Sequence, residues 1–360
     1  MFGHAKSLLE NHLILKSPLK ISDFMRMVNS HKDLGYYTSK KNILGLKGDF
    51  ITSPEVSQIF GECIGVYVGR NLSGYSCNRI NFIELGPGKG TLAFDVIRTL
   101  KQFSTFKHFK ITYRAIEANP YFRHHIQSKL SKSVDILGLF ERVQDLDYTK
   151  DTEIEGAMNI ILAHEFFDAL PTDIFYRDKS QLYELLVKAD LDRFSLIKST
   201  LQDDCNLDKY ISDNIKEECS LEYSQDVREH ALWIKNAILN SSTPSIAILI
   251  DYGFNKPSPF SLRAILEHQF VGLFDSIGQA DYSVNVDFQL LSNLINNAKN
   301  LICKVTTQSK FLIDNGLFER LHVLGDTNRH LYSQLKQDAY RLISPQEMGQ
   351  VYKVLTCTNV

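Results

Sequence analysis

The sequence predicts an α/β fold with a doubly wound, mostly parallel sheet, on two observations. Short continuous apolar runs recur from residue 80 onward, in "INFIEL", "ITYRAIEA", "NIILAHEFF" and "SIAILIDYG". Strands that read as unbroken apolar runs are covered on both faces, the usual condition of a parallel sheet. Segments with helical spacing, "GTLAFDVIRTLKQF" and "YFRHHIQSKLSK", separate the first of these runs. That alternation is the pattern of crossover connections.

The elements follow in order. Residues 1–75 read as an N-terminal helical and loop segment. In it "PLKISDFMRMVNSH" puts Ile21, Phe24, Met25 and Val28 on one face, with Ser22 or Asp23 as cap, and "VSQIFGECIGVYVGRNL" repeats the helical spacing. Residues 76–171 form the first half of the core. Residues 172–242 break the rhythm with "DIFYRDKSQLYELLVKAD", "RFSLIKST" and the helical "DVREHALWIKNAILN", an expected α+β insertion. Residues 243–360 complete the core, ending in a last strand at "MGQVYKVLTC".

Bulk properties remove several classes of function. A formal charge of −2 over 360 residues gives no electrostatic case for nucleic acid or an anionic membrane as the main partner. No stretch reaches the roughly 18 apolar residues that a membrane span needs. Six scattered cysteines, with no C-x-x-C, read as reduced structural thiols and no metal site. The opening stretch, "MFGHAKSLLENHLILKSPLK", lacks the pattern of a secretory or transit peptide. The expected compartment is therefore the cytoplasm, with the mitochondrial matrix as alternative.

The turn "NFIELGPGKGTL" holds Gly86, Gly88 and Gly90, a G-x-G-x-G pattern with Thr91 where a dinucleotide fingerprint has its third glycine. Glu84 precedes the turn. A carboxylate there repels a pyrophosphate and attracts a cationic amine. Glu117, at the end of the next expected strand, can accept two ribose hydroxyls. Acid, glycine turn, acid therefore fit S-adenosyl-L-methionine, with Asp145 or Asp147 of "QDLDY" as acceptor for the adenine amine.

The segments "GDFITSPEVSQIFGE", "ELGPGKGTL", "HEFFDALP", "IDYG", "LRAILEHQF" and "VDF" occur in an order that resembles the MidA family, over residues 17 to 357. Its mitochondrial members are complex I assembly factors called protein arginine methyltransferase NDUFAF7. The resemblance implies a class I S-adenosyl-L-methionine-dependent methyltransferase fold. It also implies methylation of an arginine in the forty-nine-kilodalton-type subunit of respiratory complex I. A protein substrate is the implied partner, and homodimerisation is left open. The alternative is an assembly chaperone that binds the cofactor without turnover. Two departures bear on it: His164 stands where the family commonly has Asn, and Asn285 where it commonly has His.

Arginine chemistry gives the acids of "HEFFDALP" a task. A guanidinium is protonated at neutral pH and is no free nucleophile. Glu165 and Asp168 are the expected catalytic pair, orienting the cation and drawing charge away from the reacting nitrogen. Asp49, Thr52, Ser53 and Glu55 are expected to line the pocket or start a helix, and Asp251 and Tyr252 of "IDYG" to line it from another strand end.

Overall fold

The computed structural model describes residues 2–39, 52–75, 77–146, 156–179, 181–190, 193–201, 209–296, 300–327 and 329–359. The N-terminal segment comprises α1 (Phe2–Leu15), β1 (Leu19–Lys20), α2 (Ile21–Ser30), α3 (Tyr36–Ser39), α4 (Ser53–Val56) and α5 (Gln58–Leu72). Ile21, Phe24, Met25 and Val28 of α2 are buried on one face, as their spacing predicts. The cap differs. Lys20 is the N-cap and makes no side-chain bond, and the amide of Ser22 donates instead to Asp173 Oδ1 at 3.0 Å. A tertiary contact thus does what a local side chain was expected to do.

The first half of the core runs through β2 (Arg79–Leu85), α6 (Thr91–Leu100), β3 (Lys110–Ile116), α7 (Pro120–Leu130), β4 (Ile136–Phe140) and β5 (Met158–His164). Next come β6 (Asp173–Asp178), β7 (Gln181–Asp190), β8 (Arg193–Thr200), α8 (Lys209–Asn214), β9 (Ser220–Tyr223) and α9 (Gln225–Leu239). The chain continues with β10 (Ser245–Phe254), β11 (Arg263–Leu266), β12 (Gln269–Val271), β13 (Asp281–Ser283), β14 (Val286–Asp287), α10 (Phe288–Asn296) and β15 (Ile302–Thr307). Four helices, α11 (Gln308–Asp314), α12 (Leu317–Thr327), α13 (Tyr332–Ile343) and α14 (Met348–Val351), lead into β16 (Tyr352–Thr358).

The main sheet has the order β15-β16-β10-β5-β2-β3-β4. Strands β4, β3, β2, β5 and β10 are mutually parallel, and β16 runs antiparallel to both β10 and β15. One reversed strand near an edge makes the sheet mostly parallel, the class I methyltransferase arrangement. Both faces are covered. Helices α5 and α6 pack on one through Phe60, Ile64, Leu92 and Val96, and α9 and α10 on the other through Ala231, Ile234, Phe288 and Leu291. A second sheet, antiparallel, joins β1-β7-β6-β9, with β8 on β7. Strand β14 joins the main sheet by pairing parallel to the end of β10, and a small third sheet, β12-β11-β13, completes the described strands.

The cysteine expectation needs correcting. Cys303 and Cys357 sit directly opposite one another on antiparallel β15 and β16, with Cα atoms 4.2 Å apart, and are joined in a disulfide. A sequence separation of 54 hides a pairing that strand register creates. Among the described residues, Cys63, Cys77 and Cys219 are free.

Candidate functional site

In an open parallel sheet, ligands bind beyond the carboxyl ends of the strands, where the chain order reverses. That point here is β2, which pairs with β3 on one side and β5 on the other. The register aligns Leu85 with Ile116 and Ala163, so Glu84, Glu117 and Glu165 emerge at one end. A cleft of about 980 Å³ opens there.

The glycine turn forms the cleft's first wall. Gly86, Gly88 and Gly90 all hold left-handed φ values, 65°, 54° and 71°. L side chains rarely adopt these angles. The amide of Gly86 donates to Ile116 O at 2.9 Å, which ties the turn to β3. Glu117 then braces it from below, accepting from the amides of Gly88 at 3.0 Å and Asn119 at 2.8 Å. Burial raises its carboxyl to about 7, partly opposed by those two amides. Glu84 is buried, accepts from the Tyr113 hydroxyl at 2.6 Å and is likewise raised to about 7 by burial. Glu55 reaches the same turn, accepting from Thr91 Oγ1 at 2.7 Å, with Lys89 Nζ 3.7 Å away.

The second wall is the turn after β5. Glu165 has φ 49°, an uncommon angle for a residue with a β-carbon. Asp251, near the carboxyl end of β10, holds this turn in shape. Its Oδ2 accepts from the amides of Phe166, Phe167 and Asp168 at 3.2, 3.0 and 3.3 Å, and its Oδ1 from Tyr252 N at 2.9 Å. Glu165 Oε1 accepts from the Tyr352 hydroxyl at 3.1 Å, and the Ser53 amide also donates to its carboxylate. Desolvation, then the nearby Asp168 charge, raise the Glu165 carboxyl to about 8.

Asp168 accepts from the Tyr252 hydroxyl through Oδ2. Its buried Oδ1 has no hydrogen-bond partner among the described residues. Burial pushes its pKa up, while Tyr252 and Arg263 pull it back. The guanidinium of Arg263 lies 4.5 Å over the Tyr252 ring, and its Nη1 donates to Asn285 Oδ1 at 3.0 Å. Asp281 accepts from the Tyr37 hydroxyl and lines the same cleft. His164 Nε2, also buried and without a hydrogen-bond partner among the described residues, stands 3.6 Å from Glu165 Oε1. That contact is no ion pair, because burial lowers the imidazole to about 3 and leaves it neutral.

Of the residues expected from sequence, Glu84, Gly86, Gly88, Glu117, Thr52, Glu55, Glu165, Asp168 and Tyr252 line the cleft. Gly90 closes the turn as the N-cap position of α6. Ser53 is fully buried and reaches the site only through its amide, and Asp251 lies behind the wall it supports. The structure does not bring Asp145 in: its carboxylate accepts from the amide of Arg142 at 2.9 Å and caps its own turn, while Val143 and Gln144 face the cleft. Asp49 and Asp147 lie outside the described residues.

Sequence reasoning passed over Tyr37, Arg263, Asp281 and Tyr352. Tyr252 and Tyr352 are register partners across β10 and β16, 100 positions apart, a relation no local pattern announces. Arg263 falls within a quoted segment and Asp281 outside all of them, and only the fold turns both inward.

Comparisons with known proteins bear on the family and the fold. A family model, Methyltransf_28, described as S-adenosyl-L-methionine-dependent methyltransferase, matches residues 63–307. The protein named "Protein arginine methyltransferase NDUFAF7, mitochondrial" from Danio rerio is 27% identical, over 98% of this chain and 86% of its own length. The same-named Rattus norvegicus protein is 30% identical, over 94% of this chain and 81% of its own. A solved COG1565 superfamily member from Burkholderia thailandensis, bound to S-adenosyl-homocysteine, covers 99% of this chain and 92% of its own, with TM-score 0.80 at 18% identity. That likeness establishes the shared fold.

Proposed function

Because the chain belongs to the Methyltransf_28 family of S-adenosyl-L-methionine-dependent methyltransferases, we propose that it methylates an arginine side chain of a protein, the activity named for its relatives. The proposed acceptor is the forty-nine-kilodalton-type subunit of respiratory complex I, methylated during assembly. Its proposed compartment is the mitochondrial matrix, since those relatives are named mitochondrial.

The observation that carries the arginine reading is the unpartnered, buried Oδ1 of Asp168 beside Glu165. An open acceptor in a buried wall is costly unless a donor arrives. A guanidinium brings donors in a planar fork, and its charge matches a wall that gathers Glu165, Asp168 and Asp281.

The residues present also fit the cofactor. Its ammonium and sulfonium suit the acidic Glu84 side of the glycine turn, and its ribose hydroxyls suit Glu117, already fixed by two amides. The cofactor supplies a methyl group bonded to a positively charged sulfur. Asp168 and Glu165 hold the guanidinium and neutralise its charge, which raises the nucleophilicity of the reacting nitrogen. Methylation of a guanidinium releases one proton. Glu165, with a pKa near 8, accepts it in the carboxylate form that prevails at mildly basic pH. Asp251 keeps the Glu165–Asp168 turn in register.

Mass spectrometry of the subunit from cells with and without this protein tests the reading. A methylarginine that disappears with the protein is the expected result, and an unchanged subunit would end it. His164 and Asn285 motivate the second reading, an assembly chaperone that binds cofactor without turnover. Complex I assembly that persists in Glu165→Ala and Asp168→Ala variants, with no methylation by the wild-type protein, would favour that role. Loss of methylation and assembly together in those variants favours the enzyme.

A further inference from the structure

An arginine within a protein brings its neighbours to the cleft, and the third sheet bears on where they lie. Strand β11 leaves the acidic wall at Arg263, whose guanidinium lies over Tyr252. Ile265, two residues on, shares that face, since strand side chains alternate. Both residues line the cleft. Ile265 pairs in register with Phe270 on β12. Two residues of strand span about 6.6 Å, so the Ile265–Phe270 pair stands at the mouth, an arginine side chain's reach from the acids.

Phe270 lines this cleft and yet is 77% exposed. A single exposed aromatic on a surface needs no explanation. This one, however, is aligned with Ile265 and Arg263 on the wall that runs down to Asp168. Among the described residues, β12 pairs with β11 alone. An unpaired strand edge is a template for another extended chain. The tip is a two-residue turn in which Glu267 and His268 both have positive φ, 48° and 65°, so the hairpin is a preformed support.

Three features converge on one occupant. The acids call for a cationic side chain, the strand edge for extended backbone, and Phe270 for an apolar neighbour. We infer that the β11–β12 hairpin docks an extended segment of the protein substrate, with Phe270 seating an apolar side chain next to the target arginine. This rests on the reading of the acidic wall as a guanidinium site.

The test uses the full-length protein with Phe270→Ser and Phe270→Leu, and the purified complex I subunit named above as acceptor. Phe270→Ser should raise KM for the subunit about tenfold, the scale of one well-packed aromatic contact. Its kcat and its calorimetric affinity for S-adenosyl-L-methionine should match wild type, and Phe270→Leu should recover most of the loss. Adding the subunit should slow amide exchange at residues 269–271. Methylation with an unchanged KM in Phe270→Ser, or with no slowing at those amides, overturns the docking strip alone. Wild-type protein that binds cofactor but neither methylates the subunit nor shows slowed exchange overturns the arginine reading, and the docking strip with it.

Discussion

Glu165 concentrates the cost of the site in one residue. Its φ of 49° is held by neighbours, and such conformations cost on the order of 1–3 kcal/mol. Its side chain is only 17% exposed, and its carboxyl is raised to about 8. Below that pH the free enzyme carries Glu165 protonated and lacks one charge for the guanidinium. We therefore expect kcat/KM to rise with pH to a plateau above about 8, and Glu165→Gln to lower the plateau and remove that limb. A pH–rate profile checks this. Stability runs the other way. The folded pKa lies above the ordinary 4.5 of the unfolded chain, so the group's contribution is full below 4.5 and is lost as pH rises through 8. Glu165→Gln should thus melt increasingly above wild type between pH 5 and pH 9. A gap that stays constant in calorimetric scans would contradict the buried-carboxyl account.

The glycine turn and the turn after β5 act as one element. A β-carbon added at Gly86 would come within 3.0 Å of Phe166 Cδ2, in the turn that carries Glu165 and Asp168. The left-handed φ adds its own strain. Gly86→Ala should destabilise the protein by about 1–2 kcal/mol from backbone strain alone. It should also lower methyl transfer by displacing Phe166. Denaturant titration and a transfer assay measure the two effects; unaltered activity in a destabilised variant would separate the two turns. The spacing of the three glycines made the turn legible in advance. Its dependence on Phe166 was not, because the contact joins the ends of β2 and β5 across the sheet.

For the whole molecule, the cofactor cleft predicts linkage between binding and stability. S-adenosyl-L-methionine at about 100 times its Kd should stabilise the fold by about 2.7 kcal/mol, seen as an upward shift in Tm. Glu117→Ala should shrink that shift by removing both the ribose acceptor and the brace under Gly88; an equal shift in the variant would remove Glu117 from the site. The sequence by itself determined the class of fold, the position of the glycine turn, and the three acids at strand ends. Apolar runs and glycine spacing are local and are carried in consecutive residues. Only the tertiary structure decided which side chains complete the site. Tyr37, Tyr252 and Tyr352 each donate to a different carboxylate of one cleft. Asp251 withdraws behind the wall to cap it, and Cys303 meets Cys357. These outcomes depend on strand order and register, which are set by burial of the whole sheet between its two helical layers and leave no trace in local spacing.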